Sequence, residues 1–506
     1  MYRKPSRQMT IDDFILPFTG SLSADNRWVR LAKLIPWDSI EKEYAFLFPS
    51  DRGNVAKPVR MALGSLIIQA RCGYTDRELL EQLVENPYLQ YFIGLREFQL
   101  TRPFTPVALV KFRKRFNQKR LTRINEIVLG AEAADHQAQQ KEAASKSNDD
   151  DQDPGEKPVG PIESKPTDMT AVKEKPNQGT LILDATCTPA DVHYPTDLGL
   201  LNEAREKLDE MIDVLHAASD TQTKRPRTYR EKARWDYLLV SKQRNPRKEQ
   251  IRRAIRKQLQ YAGRNLNIVK KMLLAERNKD CGDNPLSPRH QTLLVTIGKV
   301  LEQQRTMYKT RCHRTEDRII NLHQPHVRPI VRGKAGAAVE FGAKVAISLE
   351  NGYSRIEKLS WDAFNESGTL TESIEKFHER HGHYPEAILA DRIYRTRDNL
   401  AYCRENGIRL SGPRLGRPPA DAGIKKTEKK QERQDARDRN AVEGKFGEGK
   451  RKYGLGRIFA RLKETSECVI AMQFLVMNLE HKLRVLLTQF WETRFWSQFD
   501  LIFHGL

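Results

Sequence analysis

The composition between residues 135 and 178 predicts a gap in the fold. DDDQD, repeated prolines and a scarcity of apolar side chains leave too little surface to bury against the entropy of ordering. We read 131–178 as a disordered linker, so whatever folds must fold on either side of it. At 506 residues the chain is long for one core, and its two flanks carry different periodicities.

Ahead of the gap, residues 1–130 read as a helical unit. MALGSLIIQARCGYTDRELLEQLVENPYLQYFIGL places apolar residues at steps of three and four, with breaks near Gly73 and Pro87. Thr75 followed by Glu78 forms a capping box that starts a helix there. Short helices, tight turns and the basic FRKRF at 112–116 fit a helix-turn-helix-like DNA-binding unit. A plain helical bundle used for dimerisation fits them nearly as well.

Beyond the gap the period switches. In GTLILDATCTPADV, Leu181, Ile182 and Leu183 run into Asp184, the signature of a buried strand. A helical insertion at about 200–318 follows. Residues 221–320 hold 26 Lys or Arg against 9 Asp or Glu, most of the formal net charge of +21. Charge so localised favours a polyanionic partner, because each phosphate neutralised releases condensed counterions. Within KEQIRRAIRKQLQYAGRNLNIVKKMLLAE the apolar stripe leaves Arg252, Arg253, Arg256 and Lys257 on other faces as candidate backbone-phosphate contacts. VRPIVRG and AAVEFGAKVAISLENGY read as further strands, the second ending in an Asn-Gly hairpin turn at 351–352. Alternating helices and short strands then lead through AILAD, ending at Asp391, to a charged helix and an apolar helical end.

Other chemistries are excluded or weak. The six cysteines form no C-x-x-C pair, which argues against zinc ribbons and disulfide frameworks. His381 and His383 make only an H-x-H, and His323 with His326 sits in a Pro-rich turn, so these histidines read as structural or phosphate-contacting. No run of about 18 apolar residues appears, nor an apolar leader, and the expected location is cytoplasmic, nucleoid-associated when bound to DNA.

Three acids carry the chemical signal. Asp184 and Asp391 each end an apolar strand, where sites of open α/β sheets collect. Either alone is as readily a turn or helix cap. In RNAVEGKFGEGKRKYGL, Arg439, Glu443 and Lys450 fall at steps of four and seven, along one helical stripe. Carboxylates suit a hard divalent cation, and the flanking cations suit phosphate. Glu448, five residues past Glu443, points elsewhere.

At these residues the chain resembles a family. LILDATCTPADV, AILADRIYRTRDN and RNAVEGKFGEGKRKYGLGRI resemble the three acidic motifs of DDE transposases of bacterial insertion sequences, in particular the group numbered 1182. The amino-terminal helical stretch resembles the domain that precedes the catalytic domain in that group. The resemblance implies an RNase H-like α/β core at 179–480, a mixed sheet with helices and a large helical insertion, followed by a helical tail at 481–506. It assigns the metal-binding catalytic acids to Asp184, Asp391 and Glu443. A tyrosine that often lies three residues before the arginine is replaced here by Ala436.

The implied reaction is two-metal phosphoryl transfer with Mg²⁺, for which Mn²⁺ substitutes, cutting element ends and joining their 3′-hydroxyls to a target duplex. Arg439 and Lys450 would clamp phosphates, and two ends handled together imply a dimer or larger assembly on DNA. The alternatives are an RNase H-like nuclease that cuts without joining and a catalytically inactive DNA-binding protein.

Overall fold

In the computed structural model the described residues are all of 1–506 except 6, 18–19, 51, 131–175, 220–223, 278–283, 335–336, 414–421 and 504–506. The expected linker and the basic loop PRLGRPP therefore lie almost wholly outside the described residues. The architecture is helix-rich α/β around one curled mixed sheet.

The first helices are α1 (Arg27–Leu34), α2 (Trp37–Ala45), α3 (Val59–Cys72), α4 (Asp76–Glu85), α5 (Pro87–Phe92) and α6 (Pro106–Arg115), with α7 at 118–130. The punctuation is local. Gly73 closes α3 in the left-handed region at φ 74°, and Pro87 opens α5. Thr75 and Glu78 form the reciprocal capping box that starts α4. The basic run in α6 turns largely inward: Arg113 pairs with Asp76 and Gln69, and Arg115 lies over the Phe48 ring and reaches Tyr44. Those two cations join helices of the bundle to one another.

Strand β1 (Thr180–Pro189) is the centre of the sheet. On one side it runs antiparallel to β3 (Ala337–Glu350); on the other it runs parallel to β5 (Ala387–Leu389), which pairs in parallel with β6 (Arg409–Leu410). The far edge of β3 takes β2 (Arg328–Lys334) along its first half and β4 (Tyr353–Ser360) along its second. Asn351 at φ 50° and Gly352 at φ 84° make the tight turn between β3 and β4, the backbone that Asn-Gly supplies at least strain.

Alternation along β1 divides the core. Leu181 and Leu183 pack with α12 (Leu370–His381) and α13 (Arg397–Glu405), whereas Ile182 packs on the opposite side. That second layer contains α14 (Ala422–Lys452) and α15 (Lys463–Phe503), and it is continuous with the core of the amino-terminal helices. α15 is a single helix through 480 and 481, where a tail was expected to begin.

Between β1 and β2 the chain makes α8 (Asp197–Ala218), α9 (Arg230–Ser241), α10 (Lys248–Arg277) and α11 (Pro288–Thr310). These described helices bury their own cluster, with Leu208, Met211, Ile212, Val269 and Ile297 at its centre. Among the described residues no helix is long and apolar enough to cross a membrane. The described cysteines are free thiols.

Candidate active site

Strand pairing brings the two aspartates near each other. The β1 and β5 ladder pairs Thr180 with Ala387 and Ile182 with Leu389, where β5 ends; Asp184 and Asp391 each follow two residues later, near enough for the Asp391 charge to act on Asp184. Contrary to the sequence expectation, Asp184 does not end its strand: β1 continues to Pro189 because its second half pairs with β3, and the acid sits mid-strand where the shorter β5 stops. Asp391 also serves as a cap. Its Oδ1 accepts from the Arg392 amide at 2.7 Å and its carbonyl from Tyr394, opening the turn Arg392–Tyr394. The capping reading and the site reading thus coexist in one residue.

The helix α14 packs against both strands and adds the next groups. Arg439 reaches down with Nη1 4.0 Å from Asp184 Oδ2, while its Nη2 stands 3.5 Å from Glu443 Oε1. One guanidinium therefore spans the acid of β1 and the acid of α14. Glu443 keeps a 59% exposed side chain, against 18% for Asp184. Lys450 sits in the last turn of α14, half-buried and about 10 Å along the axis from Glu443. Glu448 faces away, held by Arg484 at 2.9 Å and Lys452 at 3.9 Å.

Electrostatics reveal a residue that no sequence motif marked. Burial, together with the carboxylates of Glu366 and Asp391, pushes Asp184 up to about 6, against the Ala185 amide bond and the Arg439 charge. Glu366 acts on Asp184 more strongly than Asp391 does. It projects from the turn Glu366–Thr369 ahead of α12 and is held by Lys344 at 2.8 Å. Beneath these acids Tyr394 is fully buried, and its phenol is raised by burial and by the same three carboxylates.

Among the described residues no three His, Cys, Asp or Glu side chains stand ready as a metal cage. The donors nevertheless fit a hard divalent ion. Two adjacent aspartates offer oxygen ligands, and Asp184 is a buried acid whose nearest cation stands 4.0 Å away, so its negative charge is under-compensated. The histidines are engaged elsewhere: His381 Nε2 lies 3.0 Å from Glu350, and His323 Nε2 lies 3.3 Å from Glu203.

The proposed phosphate contacts of α10 separate into two pairs. Arg252 stacks on the Tyr308 ring at 4.2 Å, and Lys257 is tied to Asp236 at 2.6 Å. Arg253 and Arg256 are exposed.

Comparison with known proteins bears on this arrangement. Residues 388–480, which carry Asp391, Arg439 and Glu443, match the family described as Transposase DDE domain. Residues 17–115 match the Transposase domain (DUF772). Both are transposase domains. Together they support an insertion-sequence transposase of the DDE type, and Asp184, outside both stretches, joins the DDE stretch through the sheet. The chain is also 31% identical over 93 residues to "Uncharacterized protein ORF8 in nfe locus" of Rhizobium meliloti, a span of 18% of this chain and 44% of that protein. No solved structure matches.

Proposed function

We propose that this protein is a DDE transposase that binds the ends of a mobile DNA element, cleaves them by metal-dependent phosphodiester hydrolysis and joins the freed 3′-hydroxyls to target DNA. One observation carries the reading. Asp184 on β1 lies near Asp391, just past the end of β5, and within 4.0 Å of Arg439, which also holds Glu443. Groups of the expected types from three separate stretches of the chain, β1, the segment after β5 and α14, thus lie near one another. The strand arrangement adds support: antiparallel neighbours on one side of β1 and parallel ones on the other suit an RNase H-like core interrupted after its first strand.

Asp184 and Asp391 would hold Mg²⁺, with Mn²⁺ substituting and Glu443 as the third ligand. When bound, the divalent ions supply the charge that activates water and steadies the leaving oxygen. Asp184 must ionise to serve, and below about pH 6 it holds its proton. Arg439, placed between two acids, is the cation nearest the reacting phosphate and suits its oxygens through two parallel donors. Lys450, two turns further, would grip a neighbouring phosphate. Handling two ends requires at least a dimer on DNA.

The test is to incubate the protein with duplexes bearing its own element ends and Mg²⁺, then map cut strands and joined products. Cleavage with strand transfer, lost in Asp184→Ala with DNA binding kept, is the expected result. Cutting without joined product would leave an RNase H-like nuclease, and no cutting would leave a DNA-binding protein.

A further inference from the structure

The helical insertion carries most of the chain's net charge, with 26 Lys or Arg against 9 Asp or Glu over residues 221–320, and a few of those cations are neutralised internally. Arg230 and Arg225 pair with Asp213, Lys257 with Asp236, and Arg318 with Asp197. Three other arginines converge on one place. Arg256, Arg264 and Arg305 have no ion pair among the described residues, and all three line one groove of about 350 Å³ between α10 and α11. Leu259, Gln260, Gly263 and Tyr308 complete its lining, and no carboxylate lines it.

The groove is also ordered from within. The Arg264 guanidinium lies 4.7 Å from the Tyr229 ring and 5.5 Å from the Tyr261 ring, which fixes its plane. Its Nη1 is buried without a hydrogen-bond partner, an uncommon condition for a charged donor. The Arg305 guanidinium rests on Gly263, where a Cβ would stand 2.5 Å from Nη2. A side chain at 263 would displace it.

We propose that this groove is a phosphate-binding site that holds the backbone of a DNA duplex away from the catalytic acids. The proposal rests on the transposase reading and names the part of the insertion that meets DNA. Like charges gathered without an acid need an anion between them, and planar guanidiniums match the oxygens of a phosphate diester. Arg256, Gln260, Gly263 and Arg264 follow one face of α10 over about 12 Å, and successive phosphates of a strand advance about 3.4 Å along the duplex axis. The stripe thus spans several phosphates in a row, which suits a polymer better than a single small anion. Arg252 and Lys257 lie outside the lining of the groove, and Lys257 is tied to Asp236.

The experiment measures affinity of the full chain for a duplex as a function of salt, with inorganic phosphate as a separate competitor. The double variant Arg256→Gln/Arg305→Gln should weaken binding about thirtyfold near physiological salt and flatten the salt slope by about two, the loss expected for two phosphate contacts. Gly263→Ala keeps every charge and should still weaken binding about fivefold, as one contact is lost. Lys257→Gln serves as the control and should change the slope little. Unaltered binding in Gly263→Ala, or a loss in Lys257→Gln equal to that in Arg305→Gln, overturns the groove in favour of a diffuse basic surface. Competition by millimolar phosphate as effective as by duplex would also overturn it, since the site would then take the free ion. Wild-type protein that binds no duplex overturns both this proposal and the transposase reading, whereas a groove variant that binds normally overturns the groove alone.

Discussion

Replacing Asp184 by Asn removes a charge that the folded chain holds at a disadvantage. Burial and neighbouring carboxylates set this acid at about 6 against an ordinary 3.8, a gap equivalent to about 3 kcal/mol. The folded-state value is the raised one, so between pH 4 and 6 the folded protein binds more protons than the unfolded chain. Stability falls as pH rises through that window and stays lower above it. Asp184→Asn escapes the penalty while its side-chain oxygen can still accept from the Ala185 amide. With the side chain 18% exposed, the variant should gain about 2–3 kcal/mol at pH 8 and about half of that at pH 5. Thermal melts in the absence of divalent ions should show a rise of about 2–3 °C at pH 8. Excess MgCl₂ should raise the wild-type Tm and leave the variant unmoved, because ligand binding stabilises only a protein that binds it. A variant no more stable than wild type at pH 8, or equally favoured at pH 5 and pH 8, would refute the electrostatic account of this residue.

Three further outcomes follow from the same geometry. Glu443→Ala should abolish Mg²⁺-dependent cleavage with DNA binding retained, whereas Glu448→Ala, which loses a partly exposed ion pair to Arg484, should retain cleavage and lose at most about 1 kcal/mol of stability. Active Glu443→Ala protein would remove that acid from the site. Arg439→Gln takes away the cation nearest Asp184, so the acid limb of the cleavage rate should move to higher pH; an unmoved limb would show that Arg439 does not act on Asp184. Burial pushes the Lys445 amine down to about 8, and it donates to the Gly352 carbonyl at 3.0 Å. Its charge therefore disfavours the fold below pH 8, and that penalty is relieved as pH rises from 8 towards the ordinary 10.5. Lys445→Met should be stabilised by about 1–2 kcal/mol at pH 7, after allowing about 1 kcal/mol for the lost hydrogen bond, and chemical denaturation at pH 7 and pH 10 would expose a wrong sign.

Local chemistry was legible in the sequence, and partnerships were less so. The capping box at Thr75 and Glu78, the turn at Asn351 and Gly352, and the apolar strands leading into Asp184 and Asp391 each depend on a few consecutive residues, whereas the continuation of β1 past Asp184 to Pro189 depends on pairing with the distant β3. Arg439 and Glu443 were found because helical spacing alone puts them on one stripe. Glu366 escaped because it lies in a short turn without periodicity, and only the folded sheet brings it near Asp184. The basic residues were the least legible. The basic run at 112–116 fits a DNA-binding unit and Arg252 and Lys257 read as phosphate contacts, yet Arg113, Arg115 and Arg252 are partly buried against partners elsewhere in the fold, and Lys257, though exposed, is tied to Asp236. A charge run shows how many cations there are; which of them remain available depends on residues that may be far along the chain.

The placement of the insertion has a consequence for how the chain is made. Strand β1 carries Asp184 but pairs first with β3 and then with β5, both encoded after the whole of α8 to α11. During synthesis those helices have their own buried cluster and can settle early, while both edges of β1 wait for partners. An apolar strand with open edges is a template for pairing with other chains, so slow translation through this interval would favour aggregation. The delay has a protective side. Asp184, Asp391 and Arg439 cannot come together until α14 has emerged, so a partly made chain lacks the assembled acidic cluster.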